Sequence, residues 1–228
     1  MILITSGCSF SLTRQNIINP HHKTWPDHLS EELGATLISK AMGCQGNGLI
    51  SRGIIYEVSQ NLKWEEIKVG IMWSGTDRHE VWSKEQFNEN VDGWVENPTG
   101  FIPKNKHWQV LSPHWKIHKS DIYYKHLHEQ MYGYINTLEH ILRTQWFLDK
   151  CGIPYFMTFM KDPAFPFGNR YREEKELKHL GDLINWDKFL PVKGMYEWCD
   201  GCEGIADHPS TEQHEQFTRE VILPFGFK

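Results

Sequence analysis

Residues of the types needed for nucleophilic catalysis lie near the two ends of the chain. The segment ILITSGCSFS, residues 2–11, is an apolar run that ends in a serine-rich turn containing Ser9. Near the other end, the sequence HPS places His208 directly before the last helical pattern. A hydroxyl and an imidazole within hydrogen-bond reach can carry out acyl transfer, because the imidazole accepts the proton as the hydroxyl attacks a carbonyl. The sequence therefore predicts that Ser9 and His208 meet in one site.

Alternating strands and helices would bring these residues together. Apolar runs bounded by turns predict strands, and apolar residues at helical spacing predict helices. The predicted strands are 2–5, 35–42, 67–73 and 153–160, and the predicted helices are 24–34, 49–62, 122–151 and 210–227. This alternation favours a parallel sheet with helices on both faces. Ligands of such sheets bind at the carboxyl ends of the strands, where Ser9, the turn GCQGNG (43–48) and the turn SGTDR (74–78) are all expected.

The chain resembles the SGNH (GDSL-like) hydrolase superfamily, whose sequence blocks occur here in the same order. The blocks are Gly7-Cys8-Ser9-Phe10-Ser11, the GCQGNG turn, Gly75-Thr76-Asp77-Arg78 and His208-Pro209-Ser210. The resemblance implies a flavodoxin-like three-layer α/β/α sandwich and a soluble ester hydrolase with Ser9 as nucleophile and His208 as base. It also implies that Gly46 contributes to the oxyanion hole. The substrate would be a small-molecule or carbohydrate ester, with an acetylated sugar as one candidate.

The third and last blocks depart from the family pattern. Asp77 stands where an asparagine is expected, and an ionised carboxylate cannot donate a hydrogen bond to an oxyanion. Asn47, in the preceding turn, offers an amide donor instead. Asp207 is a candidate for the acid that orients His208, although adjacent side chains usually diverge. Asp200, Glu203 or a backbone carbonyl are alternatives.

Composition limits the classes of function. The 228 residues fit a single domain, 1–228, and the net charge of −5 without a basic cluster argues against a nucleic-acid partner. No apolar run reaches the length of a membrane span and no signal-peptide pattern precedes the first strand, so a cytoplasmic location is expected. We expect no cofactor and no metal.

Two irregular insertions, about 82–121 and 161–197, interrupt the strand–helix alternation. The first contains four tryptophans, Trp82, Trp94, Trp108 and Trp115, which would form a small aromatic core or line a ligand pocket. An alternative to the enzyme is therefore a catalytically silent SGNH-like module that binds a glycan or a protein through these insertions.

The segment CDGC, with Cys199 and Cys202, has the spacing of two zinc ligands. No second pair of this kind occurs among the five cysteines, and the motif does not follow a predicted strand as redox motifs usually do. A metal or redox function is therefore the weaker interpretation of this motif.

Overall fold

The computed structural model of the protein describes residues 1–13, 22–60, 66–82, 108–113, 118–163, 173–204 and 207–227. Trp94 and Trp115 of the first predicted insertion lie outside these ranges. Trp108 is described only as part of a strand, and Trp82 is 54% exposed. The aromatic role predicted for this insertion therefore stays a prediction.

Four parallel strands form the central sheet in the order β2-β1-β3-β6. The strands are β1 (Ile2–Ser6), β2 (Thr36–Ser39), β3 (Ile67–Trp73) and β6 (Tyr155–Phe159). A parallel bridge between Met157 and Phe189 continues the sheet beyond β6. Between β3 and β6 in the sequence, β4 (His79–Trp82) and β5 (Trp108–Leu111) pair antiparallel and form a separate two-stranded sheet. This strand order is that of a flavodoxin-like fold, so the predicted fold class is confirmed.

Helices cover both faces of the sheet. They are α1 (Trp25–Leu33), α2 (Asn47–Gln60), α3 (His118–His126), α4 (Gln130–Cys151), α5 (Lys175–Asp182), α6 (Met195–Trp198) and α7 (Thr211–Phe217). After α7 a π-turn, Thr218–Ile222, and a last helical turn, Leu223–Phe225, complete the predicted C-terminal helix. None of the helices in these described ranges is long and apolar enough to cross a bilayer.

The structure corrects two sequence predictions about helices. The single helix predicted over 122–151 is two helices, α3 and α4, because the chain turns at 127–129. There the amides of Leu127 and His128 both donate to the Tyr123 carbonyl at 2.8 Å, and Glu129 is extended. The described part of 161–197 is not irregular, since it contains α5 and α6; the buried Leu177 of α5 packs on the core.

Alternating side chains on each strand supply two separate cores. Ile4, Ile71 and Met157 face one core, in which apolar residues of α2, α4 and α5 cover the sheet. Leu3, Met72 and Phe156 face the other, which is covered by α1, α6 and the C-terminal helix. The two-residue period of a strand thus assigns neighbouring residues to opposite faces.

Gly70 in β3 is predicted to tolerate no side chain. A Cβ at this position would lie 2.8 Å from Phe156 Cζ and 3.1 Å from Trp25 Cη2, both in buried rings. Gly70→Ala should therefore lower the free energy of unfolding by about 1–3 kcal/mol, the usual cost of overpacking. Denaturant unfolding measures this, with Gly43→Ala as the control, because the nearest atom to a Cβ there is 4.0 Å away. Equal stabilities of the two variants would contradict the prediction.

Candidate active site

The turn after β1 positions Ser9. Ser9–Ser11 form a single 3₁₀ turn, and the Trp25 indole donates to Ser11 Oγ at 2.9 Å. Gly7 allows this close turn, because a Cβ there would overlap Ser11 Oγ and approach the Met72 carbonyl at 3.1 Å. The serine-rich turn is therefore anchored to β3 and α1, and Ser9, which is only partly buried, is held at the carboxyl edge of the sheet.

Ser9 and His208 are in direct contact. His208 Nε2 lies 2.7 Å from Ser9 Oγ, and the His208 ring packs against Phe10 with 5.0 Å between ring centroids. The predicted meeting of these two side chains is confirmed. If the neutral imidazole has its proton on Nδ1, its Nε2 can accept a hydrogen bond from the Ser9 hydroxyl. This hydrogen bond activates the hydroxyl as a nucleophile.

Gln213 fixes the loop that carries His208. Its side-chain oxygen accepts from the amides of Glu203, at 3.0 Å, and Ser210, at 2.9 Å, while its Nε2 donates to the Gly201 carbonyl at 2.8 Å. Ser210 caps α7 in return by accepting from the Gln213 amide. One buried side chain therefore ties the segment before His208 to the helix after it.

Gly204 completes this anchoring. Its amide donates to the His208 carbonyl at 2.7 Å. A Cβ on Gly204 would lie 2.5 Å from the same oxygen and 2.8 Å from the Pro209 carbonyl. Only glycine fits this close approach of two backbone segments.

The three acids considered as partners of His208 are all exposed. Asp207 has a left-handed backbone, with φ of 58°, as does Asp200, with φ of 48°. Burial raises the pKa of the Cys202 thiol, and the charge of Asp207 adds to that rise. Burial and then Cys202 raise the pKa of the Cys199 thiol, and the charge of Glu203 adds a smaller part. The identity of the orienting group stays a prediction.

Two further histidines lie beside His208. Burial lowers the pKa of His214 well below its ordinary value, and the His22 ring meets the His214 ring edge-on at 5.9 Å. Burial lowers the pKa of His22, and the positive charge of protonated His208 lowers it further. The expectation that His214 is structural agrees with its complete burial, whereas nothing in the sequence pattern singled out His22.

The glycine-rich turn before α2 receives a buried carboxylate. Glu80 Oε1 accepts from the Leu49 amide at 3.0 Å, and Cβ atoms on Gly46 or Gly48 would overlap the two Glu80 carboxylate oxygens. The Glu80 side chain is 6% exposed and lies 3.7 Å from the Arg52 guanidinium. Burial raises the pKa of Glu80, while the Leu49 amide and Arg52 oppose that rise. The glycines thus make room for a negative charge at a helix N-terminus.

Asn47 is a clamp between elements, and these contacts compete with the oxyanion role, which stays a prediction. Its amide nitrogen donates to the Ser74 carbonyl at 3.3 Å and to Thr137 Oγ1 at 3.0 Å. Its oxygen accepts from the Ser74 amide at 2.8 Å. Both N–H groups are therefore used, and the side chain has no donor left for an oxyanion.

Asp77 lines a polar cavity of about 210 Å³ at the end of β3, bounded by α2, α4 and β4. The Asp77 carbonyl accepts from the Tyr124 hydroxyl. The His79 ring stacks on Tyr123 at 4.7 Å. The cavity also contains Arg52, Thr76, Arg78, Glu80, His128, Tyr132, Asn136 and His140. Asn47 and Asp77 share this cavity with charged residues that the sequence analysis did not single out.

Arg78 connects this cavity to the turns after β1 and β2. Its guanidinium donates to Ser74 Oγ at 2.6 Å and to the Gln45 carbonyl at 3.4 Å. The Gln45 side chain donates to Ser6 Oγ, also at 3.4 Å. The Ser9 turn and the cavity are therefore linked along one edge of the sheet.

Residues 16–223 match DUF6071, a family of unknown function. The chain belongs to this family. The matched span of this DUF6071 chain includes His208 and begins after Ser9. No curated protein matches the sequence. Among solved structures the chain is similar to that titled "Crystal Structure of TesA", with a TM-score of 0.53 and 12% identity over 99% of this chain and 97% of that one. At this identity the likeness concerns the fold alone.

Gln213→Leu is predicted to loosen the His208 loop. The change keeps the approximate size of the side chain but leaves two amides and one carbonyl without their partner, at a cost of roughly 1–3 kcal/mol for each group that stays buried. We expect a lower free energy of unfolding and faster hydrogen exchange at the Glu203 amide. Gln216→Leu is the matched control, because Gln216 is exposed on the same helix. Unchanged exchange in Gln213→Leu would contradict the assignment.

Protonation of His140 is predicted to destabilise the fold in acid. Burial, and then Arg143 and Arg52, lower the pKa of His140 to about 3. Between the ordinary value of 6.5 and that value, the unfolded chain binds a proton that the folded chain does not, so stability is lost as the pH falls. The free energy of unfolding is measured for wild type and for His140→Asn at pH 7 and at pH 5. Between these two pH values the wild type should lose about 1–2 kcal/mol more stability than the variant.

The control for this measurement is His126→Asn, because His126 is exposed. Its stability difference from wild type should stay constant over the same range. A constant difference for His140→Asn as well would show that His140 is not held neutral.

Proposed function

We propose that this protein is a serine-dependent hydrolase of the SGNH type that cleaves a carboxylic ester. The observation that carries the proposal is the 2.7 Å contact between Ser9 Oγ and His208 Nε2. Two side chains from distant parts of the sequence lie at the hydrogen-bond distance that activation of a serine nucleophile requires. Neither side chain is fully buried, as a site that meets a substrate requires.

The mechanism follows from this pair. His208 removes the Ser9 proton as Oγ attacks the ester carbonyl, and the π electrons of that carbonyl move onto its oxygen. The backbone amides of Ser9 and Gly46 are the proposed donors to this oxyanion. Collapse of the intermediate expels the alcohol, which takes its proton from His208 and leaves an acyl-enzyme. Water, deprotonated by His208, then releases the acid and restores Ser9.

The position of the pair in the fold supports this assignment. In a flavodoxin-like sheet the strand order reverses beside β1, and ligands bind in the crevice at that point. Ser9 directly follows β1, and β3, which pairs with β1, ends beside the polar cavity. The order of the SGNH-like sequence blocks and the TesA-like fold agree with an SGNH hydrolase.

The substrate class is a further part of this proposal. The lining of the cavity at the end of β3 includes neither Ser9 nor His208, so this cavity gives no basis for choosing the ester. An O-acylated polyol or carbohydrate is proposed because the resemblance to SGNH hydrolases implies a small-molecule or carbohydrate ester.

A catalytically silent binding module is the alternative, and the Asn47 clamp favours it. With its amide bound to Ser74 and Thr137, the site has no oxyanion donor from that side chain. A fluorophosphonate probe distinguishes the two functions, because it labels only an activated serine. Labelling at Ser9 supports the enzyme; an unlabelled Ser9 together with saturable sugar binding supports the module.

Ser9→Ala and His208→Asn are each predicted to lower hydrolysis of an aryl acetate by roughly 10³-fold or more, with the fold retained. His22→Asn is the control, because His22 is a half-buried imidazole near His208 whose ring Nδ1 lies 3.4 Å from Thr211 Oγ1. Its turnover should stay within a few-fold of wild type. Full activity of Ser9→Ala, measured by initial rates, would reject the proposed nucleophile.

A further inference from the structure

The polar cavity at the end of β3 is separate from the Ser9–His208 pair. Its lining comes from α2, from the segment 76–80 and from the residues of α3, α4 and the turn between them, and it contains neither Ser9 nor His208. The volume of about 210 Å³ lies below the roughly 300–1,000 Å³ of pockets that hold drug-sized ligands. A ligand of this cavity is therefore a small molecule of about one ring.

The charged groups of the cavity are already matched within the chain. Glu80, whose side chain is 6% exposed, lies 3.7 Å from the Arg52 guanidinium, and Arg78 donates to Ser74 Oγ at 2.6 Å. With Asp77, the lining has two formal positive and two formal negative charges. An ion gains little from a lining without an excess of either sign, and no group of three or more histidine, cysteine or acidic side chains in the described ranges is placed to hold a metal ion. The cavity therefore favours a neutral ligand.

Aromatic rings form one wall of the cavity. His79 stacks on Tyr123 with 4.7 Å between ring centroids and 6° between ring planes, and the Tyr132 ring lies 6.1 Å from His79. Tyr123 is buried, whereas Tyr132 is 45% exposed, so these contacts support the Tyr132 ring and leave part of it uncovered. The face of an aromatic ring is electron-rich and attracts C–H groups that carry a partial positive charge. This wall suits a ligand that presents C–H groups on one side.

Hydrogen-bonding groups lie beside the aromatic wall. Asn136, one turn along α4 from Tyr132, donates one N–H to the Tyr132 carbonyl at 3.0 Å. Among the described residues its side chain makes no other hydrogen bond, so a second N–H and the amide oxygen are available. The Asp77 carboxylate adds acceptor oxygens to the same lining. Hydroxyl groups pair with all of these because they both donate and accept, whereas a hydrocarbon would desolvate them without replacing the lost hydrogen bonds.

We propose that this cavity is a carbohydrate-binding site for a single hexopyranose. The C–H face of the sugar lies on Tyr132, and its hydroxyl groups bind Asp77 and Asn136. A pyranose ring is neutral, fits a cavity of this size, and has C–H groups on one side and hydroxyl groups at its rim. The site goes beyond the proposed function, because it uses neither Ser9 nor His208. It also lies outside the insertions 82–121 and 161–197, to which the sequence analysis assigned glycan binding.

The first experiment measures sugar binding to the full chain by calorimetric titration with D-glucose, D-galactose and D-mannose. At least one of them should bind saturably with a Kd on the order of 1 mM, as expected for a ligand of about twelve non-hydrogen atoms. Tyr132→Ala should weaken this binding roughly tenfold by removing the ring face, and Tyr132→Phe, which keeps the face, should stay within a few-fold of wild type.

Tyr56→Ala is the matched control, because Tyr56 is 50% exposed on α2 and does not line the cavity. Its Kd should equal that of wild type. Absence of saturable binding by all three sugars would overturn the proposal, and so would equal Kd values for Tyr132→Ala and wild type. If inorganic phosphate binds and no sugar does, the cavity is an anion site and the proposal is wrong.

The second experiment tests the polar contacts and the independence from hydrolysis. Asp77→Asn and Asn136→Ala should each weaken sugar binding several-fold, and wild-type affinity in both variants would overturn the assigned contacts. Ser9→Ala should bind the sugar as wild type does, because Ser9 is not part of the lining; loss of binding in this variant would overturn the separate site. Failure of a fluorophosphonate to label Ser9 would reject the proposed hydrolase alone, while the titrations still decide whether the cavity binds sugar.

Discussion

The hydrogen bond between Ser9 and His208 depends on the direction of β1 in the parallel sheet. Parallel strands place all their carboxyl ends at one edge, so the turn after the first strand and the loop before the last helix meet there. The contact spans 199 positions of sequence. A single antiparallel strand at β1 would have moved Ser9 to the opposite edge. The polar site is thus a consequence of sheet topology, which the two apolar cores on either face stabilise.

Burial of charge shapes the same edge of the sheet. Glu80 lies almost completely buried at the start of α2, which is tolerable only because the Leu49 amide and the Arg52 guanidinium face it. Gly46 and Gly48 lack side chains where this carboxylate lies. These two glycines therefore make room for the buried carboxyl group of Glu80.

Hydrogen bonds from one buried side chain hold the loop before α7 in place. Gln213 makes three hydrogen bonds to backbone groups of the loop and helix, which limits how far His208 can move.

The sequence by itself predicted the fold class, because strand–helix alternation implies parallel strands. It predicted the pairing of Ser9 with His208 through the order of the SGNH-like blocks, which place both residues at the same edge of such a sheet. It could not identify Glu80, since a lone acid after a strand carries no pattern, or the clamp role of Asn47, since its partner Thr137 lies on a distant helix. The sequence pattern also did not show that 122–151 is divided into two helices, because the apolar spacing continues across the turn between them. Tertiary packing decided these points: whether a polar side chain is a donor, a clamp or a buried charge depends on neighbours far away in the chain.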